Sequence, residues 1–146
     1  MRQKVRWLSR SLIVGPYLAI CFTEDEFRGI LKYLEIKHYE WPQWITPGAD
    51  ATTHTLGYKN KIATVICIHI PPEMDPVAVA GLMVHEAVHV FQRYCQSIGE
   101  DEPSLEFEAY SIQHISQQFM WEYVDYLKEQ EDAAKKKRSN RNKRRA

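Results

Sequence analysis

The chain has few cysteines and no disulfide pattern. Cys21, Cys67 and Cys95 are odd in number and contain no C-x-x-C pair, which argues against a disulfide framework. It points instead to small buried apolar residues in a reducing compartment. Long apolar runs are also missing: none reaches the roughly 18 residues of a membrane helix. The start, MRQKVRWLSR followed by SLIVGPYLAICF, has the charge order of a secretory leader. Gly15-Pro16 breaks its apolar part and no small-x-small cleavage site follows, so cytoplasmic residence is expected. Internal repeats are absent. The last twelve residues, 135–146, contain no acid and hold eight of the 19 Lys and Arg. The remainder therefore carries 11 basic against 19 acidic residues, a formal −8 that the net charge of zero conceals.

What is present is the composition of a folded protein. Of 146 residues 45% are hydrophobic and 12% aromatic, enough for one domain with a real core and too few residues for two comfortable ones. Residues 12–22 (LIVGPYLAICF) suggest a buried strand starting after Pro16. Thr23-Glu24-Asp25-Glu26 is a capping box, with Glu26 reaching back to the Thr23 amide. The helix it opens is expected to run to about Lys37, with Phe27, Ile30, Leu31 and Leu34 on one face. Residues 50–57 and 61–70 read as two strands joined at Tyr58-Lys59-Asn60, the second apolar on both faces.

Asp75-Pro76 supplies an N-cap and a first-turn proline for a helix to about Ser97. Its apolar stripe is expected at Val77, Gly81, Val84, Val88, Phe91 and Cys95, with the N-terminal half buried nearly all round. Ser104 caps a last helix to about Ala134. The domain is thus 1–134, and 135–146 is expected to be a disordered basic tail. The fold class is α+β: strand, helix and β-hairpin, followed by an active-site helix and a long C-terminal helix.

The chemistry concentrates in Val84–Gln92, VHEAVHVFQ. His85 and His89 lie four apart on one helical face, so neutral imidazoles there can aim at a common point about 2 Å from each, as zinc requires. Glu86 stands beside them as a candidate base. A buried carboxylate needs a partner, and no Lys or Arg lies within four residues of Glu86. Metal-bound water or a group outside the helix must serve. A chance H-E-x-x-H in such a chain is expected well under about 1% of the time. A catalytic zinc needs a third protein ligand and an open position. Of Glu100, Glu102, Glu106, Glu108 and His114, only Glu108 falls on the apolar stripe of Leu105, Ile112, Ile115 and Phe119. There a carboxylate wants a cation, either a metal or an arginine from elsewhere.

H-E-x-x-H, eighteen residues and then Glu resembles the zincin superfamily, and within it the glutamate-liganded gluzincins. Short phage-type metallopeptidases are the nearest likeness, strong over 84–92 and 106–113 and architectural over about 12–127. The resemblance implies a small zincin-like fold. It also implies a zinc ion held by His85, His89 and Glu108, Glu86 as general base, and hydrolysis of peptide bonds in a peptide or protein substrate, with endopeptidase action expected. Larger gluzincins draw a Tyr or His oxyanion donor from a further domain; here it must be local, with Tyr110 and His114 the first options and Tyr94 and His69 the others. No Gly-x-Met-Glu-Asn element grips a peptide amino terminus, so aminopeptidase activity is not expected. The likeness also implies that an edge strand of the hairpin pairs with an extended substrate.

The alternative is a non-catalytic module in which the same metal site fixes two helices while the surface recruits a protein or nucleic acid. The basic tail allows weak nonspecific nucleic-acid contact, and no membrane association is expected. His54 and His69 are read as structural histidines.

Overall fold

The computed structural model describes residues 5–8, 17–58 and 61–143. The leader-like stretch 9–16, the hairpin residues Lys59-Asn60 and the last three residues of the tail lie outside the described residues. The elements are β1 (Arg6–Trp7), β2 (Tyr17–Cys21), α1 (Glu24–Tyr33), β3 (Ala51–Tyr58), β4 (Lys61–Ile68), α2 (Pro76–Ile98) and α3 (Leu105–Lys143). Between α1 and β3 the chain makes one short 3-10 turn, His38–Glu40. The class is α+β, as expected.

Among the described residues the strands form one mixed sheet in the order β1-β2-β4-β3. β2 and β4 run parallel, with Cys21 opposite Cys67, while β3 pairs antiparallel with β4 and has no strand on its other edge among the described residues. The period-two alternation of β2 and β4 divides the core. Leu18, Ile20, Ile66 and Ile68 pack with α2 and α3 on one face; Ala19, Cys21, Val65 and Cys67 pack with α1 on the other. Two covered faces explain why β4 is apolar on both sides.

Local chemistry sets the ends of the elements. Thr23 Oγ1 accepts from the Glu26 amide at 3.2 Å, as the capping box requires. Glu26 bonds the Phe22 amide at 2.8 Å instead of that of Thr23, because its other oxygen is engaged by Arg6. α1 stops at Tyr33, four residues short of the expected Lys37. Leu34 turns into the core and Glu35 takes φ 60°, so Ile36 N–H returns to Leu31 O at 3.0 Å. This is a Schellman-type ending, held by Leu34 and Ile36 packing despite a non-glycine in the left-handed region.

β1 was too short to announce itself in the sequence, yet it carries the molecule's main buried charge. Arg6 is 2% exposed. Its guanidinium donates to Glu26 at 3.2 Å, Glu122 at 3.2 Å and Glu129 at 2.6 Å, and lies over the rings of Phe22 and Tyr126. Burial works against its charge, but the Glu129 bond, Glu26 and Glu122 outweigh it and hold its pKa above the ordinary value. One side chain thereby ties the sheet edge to α1 and to the middle of α3.

α3 runs to Lys143, beyond the expected end at Ala134, so the described part of the basic segment is helical. No Gly or Pro interrupts it, Lys and Arg are good helix formers, and cations suit a helix C-terminus. Leu105, placed on the core stripe by sequence, is 83% exposed; the buried face starts later, at Ser111, Ile115 and Phe119. No described helix is long and apolar enough to cross a membrane.

Two outcomes follow from this packing. Arg6→Ala leaves three partly exposed acids without their cation and is expected to cost about 3 kcal/mol in urea unfolding, the low end for loss of one partner of a buried ion pair; Arg6→Lys recovers only part. The three cysteines are free and buried, and burial together with neighbouring Cys21 pushes the Cys67 thiol far above its ordinary 9.0. Stability from this raised pKa is therefore complete below pH 9.0 and declines above it, where only the unfolded chain releases the proton. Unfolding free energy measured from pH 8 to about 10 checks the sign.

Candidate metal centre and cleft

α2 begins where expected. Asp75 Oδ1 accepts from the Val77 and Ala78 amides at 2.8 and 3.3 Å, and Pro76 occupies the first turn. Gly99, at φ 70°, ends it in the left-handed conformation that glycine adopts without penalty. The buried face differs from the expected stripe. It is Val79, Met83, Glu86, Ala87, Val90, Phe91 and Cys95, while Val77 is 79% and Val84 40% exposed. The helix is turned by about one residue, some 100°. Apolar residues around most of its first half left several faces available, and the sheet selected the one that includes Glu86.

Glu86 is 5% exposed. Thr53, on edge strand β3, donates its hydroxyl to Glu86 Oε2 at 2.7 Å. Two helical turns further on, Arg93 donates to Thr55 Oγ1 at 3.1 Å. Thr53 and Thr55 share one strand face, so β3 holds α2 at two points. The partner that Glu86 lacked on its own helix is thus a hydroxyl from the sheet.

Turning Glu86 inward brings His85 and His89 to the solvent edge of the helix. Both are exposed, with Nε2 atoms 3.0 Å apart and rings at 84°. His89 Nδ1 lies 3.2 Å from Gln92 Oε1. With the Gln92 amide oxygen toward the ring, His89 Nδ1–H donates to it and Nε2 is left to accept from His85 Nε2–H or to bind a ligand. Two zinc–nitrogen bonds of about 2.0–2.1 Å at the tetrahedral angle set their nitrogens about 3.4 Å apart, within a few tenths of an ångström of the observed pair. This half of the centre fits a zinc ion.

A cleft of about 500 Å³ adjoins it, lined by Ala49, Asp50, Ala51, Met74, Ala78, Gly81, Leu82, His85 and Glu86. The Glu86 and Asp50 carboxyl groups and one imidazole therefore share an open cleft with small and apolar side chains.

The third expected ligand is less closely placed. Glu108 is half-buried in the first turn of α3, after the cap that Ser104 makes to the Phe107 amide at 3.4 Å. Its charge acts on Cys95 of α2, whose thiol is pushed up by burial, Glu100 and Glu108. No basic side chain pairs with Glu108 among the described residues. Equally, no three His, Cys, Asp or Glu among them form a group able to hold a metal. The His85 and His89 ring nitrogens are brought together; Glu86 turns inward to Thr53, and Glu108 does not join the pair in such a group.

Neither oxyanion option lines the cleft: Tyr110 is exposed and His114 half-buried along α3. His54 bonds Trp44 O at 3.0 Å and stacks on Phe27, and His69 meets the Trp44 ring edge-on. Sequence reasoning missed Thr53 and Gln92. Gln92 had a signal, being three residues after His89 on the same face; Thr53 had only the alternation of its strand. The chain matches no family model, no curated protein and no solved structure.

Thr53→Val removes the hydroxyl that satisfies a buried carboxylate and is expected to cost about 1–3 kcal/mol. Thr53→Ser, which keeps the donor, should cost clearly less, and equal losses in chemical denaturation would show that the bond contributes nothing.

Proposed function

We propose that this chain is a zinc-dependent metallopeptidase of gluzincin type, an endopeptidase on a small zincin-like domain. The observation that carries the reading is the convergence of the His85 and His89 Nε2 atoms, 3.0 Å apart, beside a cleft that contains the buried Glu86. Glu108, half-buried and without a basic partner among the described residues, is the third ligand in this reading. Zinc bound there would polarise a scissile carbonyl and lower the pKa of water to about 7.

The chain's own residues supply the rest. Thr53 holds Glu86 by Oε2, so Oε1 is the atom that takes the proton of the attacking water and delivers it to the leaving amine. Gln92 keeps His89 in the ligand tautomer. The outer edge of β3 offers main-chain hydrogen bonds to an extended peptide, and Asp50, Ala51 and Met74 place its side chains in the cleft.

A second reading rests on the absence of a three-ligand group among the described residues. In it, the same polar cluster fixes α2 on the sheet and the protein acts as a non-catalytic module. Metal analysis separates the two. Untagged protein purified without chelators should carry close to one zinc per chain, and Glu108→Ala should lose it; metal-free wild type would end the peptidase reading. Glu86→Gln should keep zinc and lose roughly 10²–10⁴-fold in cleavage of a denatured protein substrate, the size of a general-base contribution.

A further inference from the structure

The end of α3 stands apart from the rest of the molecule. Among the described residues its last tertiary ion pair is Arg6–Glu129, and every described side chain from Gln130 to Arg141 is exposed. At 1.5 Å per residue, Gln130 to Lys143 makes a helix about 20 Å long. Lys135, Lys136, Lys137, Arg138 and Arg141 lie there, at 100° per residue, so the charges surround the axis. Lys135 has Glu131 and Asp132 at 3.8 Å. Lys136, Lys137, Arg138 and Arg141 have no acidic partner among the described residues.

Helix-dipole stabilisation acts within the last turn and does not call for cations two turns earlier on every side. Insertion at a membrane surface needs an apolar face, and residues 135–143 contain no apolar side chain. The same lack removes the buried anchor on which a protein interface depends. There are no aromatics to stack on single-stranded bases. What remains is a bare cationic rod. With side chains it is about 10–12 Å across, the width of a duplex major groove at about 12 Å.

We propose that residues 135–143 form a nucleic-acid-binding arm that contacts the phosphates of a duplex without reading sequence. The acidic body, formally −8 without the last twelve residues, repels the same polyanion and confines contact to the arm. The arm is independent of the metal centre, so Glu86→Gln and Glu108→Ala should leave it unchanged.

The test is fluorescence anisotropy of a short labelled DNA duplex with the full chain. Four unpaired cations give a slope of log affinity against log salt of about −3.6, or roughly a 150-fold loss between 50 and 200 mM. Replacing Lys136, Lys137, Arg138 and Arg141 together by Gln should abolish binding with the far-ultraviolet circular dichroism of the body retained. Ser139→Pro keeps every charge, breaks the helix and should weaken binding several-fold. A duplex RNA of equal length distinguishes the two sources of phosphate, and binding to either supports the proposal. No duplex binding at 50 mM salt, equal binding by the fourfold variant, unchanged affinity of Ser139→Pro, or preference for phosphatidylserine vesicles over both duplexes overturns it.

Discussion

The placement of α2 on the sheet combines apolar packing with two hydrogen bonds to β3, of which the buried one runs from Thr53 Oγ1 to Glu86 Oε2 at 2.7 Å. A carboxyl group that is 5% exposed is tolerated only with a hydrogen-bond partner, and leaving such a buried polar group unsatisfied costs more than an ordinary hydrogen bond is worth. Packing and these bonds together select a single helical phase where the apolar pattern alone allowed several. In that phase Val79, Met83, Ala87 and Val90 meet the sheet and the helix behind it, while His85 and His89 come side by side at the solvent edge. The histidine geometry is thus a consequence of packing as much as of i, i+4 spacing.

The Arg6 clasp imposes a second, more global constraint. By holding Glu122 and Glu129 against the sheet edge, it fixes the middle of α3 and sets Ile115 and Phe119 into the core shared with α2. The first turn of α3, with Glu108, is carried beside Cys95 of α2. Beyond Glu129 no ion pair joins the helix to the body among the described residues. The two ends of α3 consequently differ in charge: the first turn is acidic and the last turns are cationic.

Much of this was legible in the residues because local chemistry writes it. Thr23, Asp75, Gly99 and Ser104 mark helix ends within a residue or two, and the doubly apolar β4 announces a sheet covered on both faces. What failed depended on partners far along the chain. The apolar stripe of α2 could not be phased without Thr53, thirty-three residues away. Glu35 in the left-handed region, which shortens α1, is held by Leu34 and Ile36 packing rather than by a turn residue. β1 is two residues long and owes its place to Arg6, whose partners on α3 lie more than a hundred residues on. Of the site, the H-E-x-x-H pair and Glu86 were readable from spacing. Glu108 was expected on the core side of its helix; it is half-buried, ahead of the buried face that starts at Ser111, and helical phase within one element says nothing of the distance between two.

The central claim is that His85 and His89 present paired Nε2 lone pairs to one metal ion, with the His89 tautomer fixed by Gln92. A long-range proton–nitrogen correlation spectrum of the histidine rings, followed through a zinc titration, tests it most directly. The account predicts that at one equivalent exactly two imidazoles, those of His85 and His89, become metal-bound through Nε2 while His89 keeps its proton on Nδ1. Unchanged rings, or a response confined to His38, His54, His69 or His114, would contradict it.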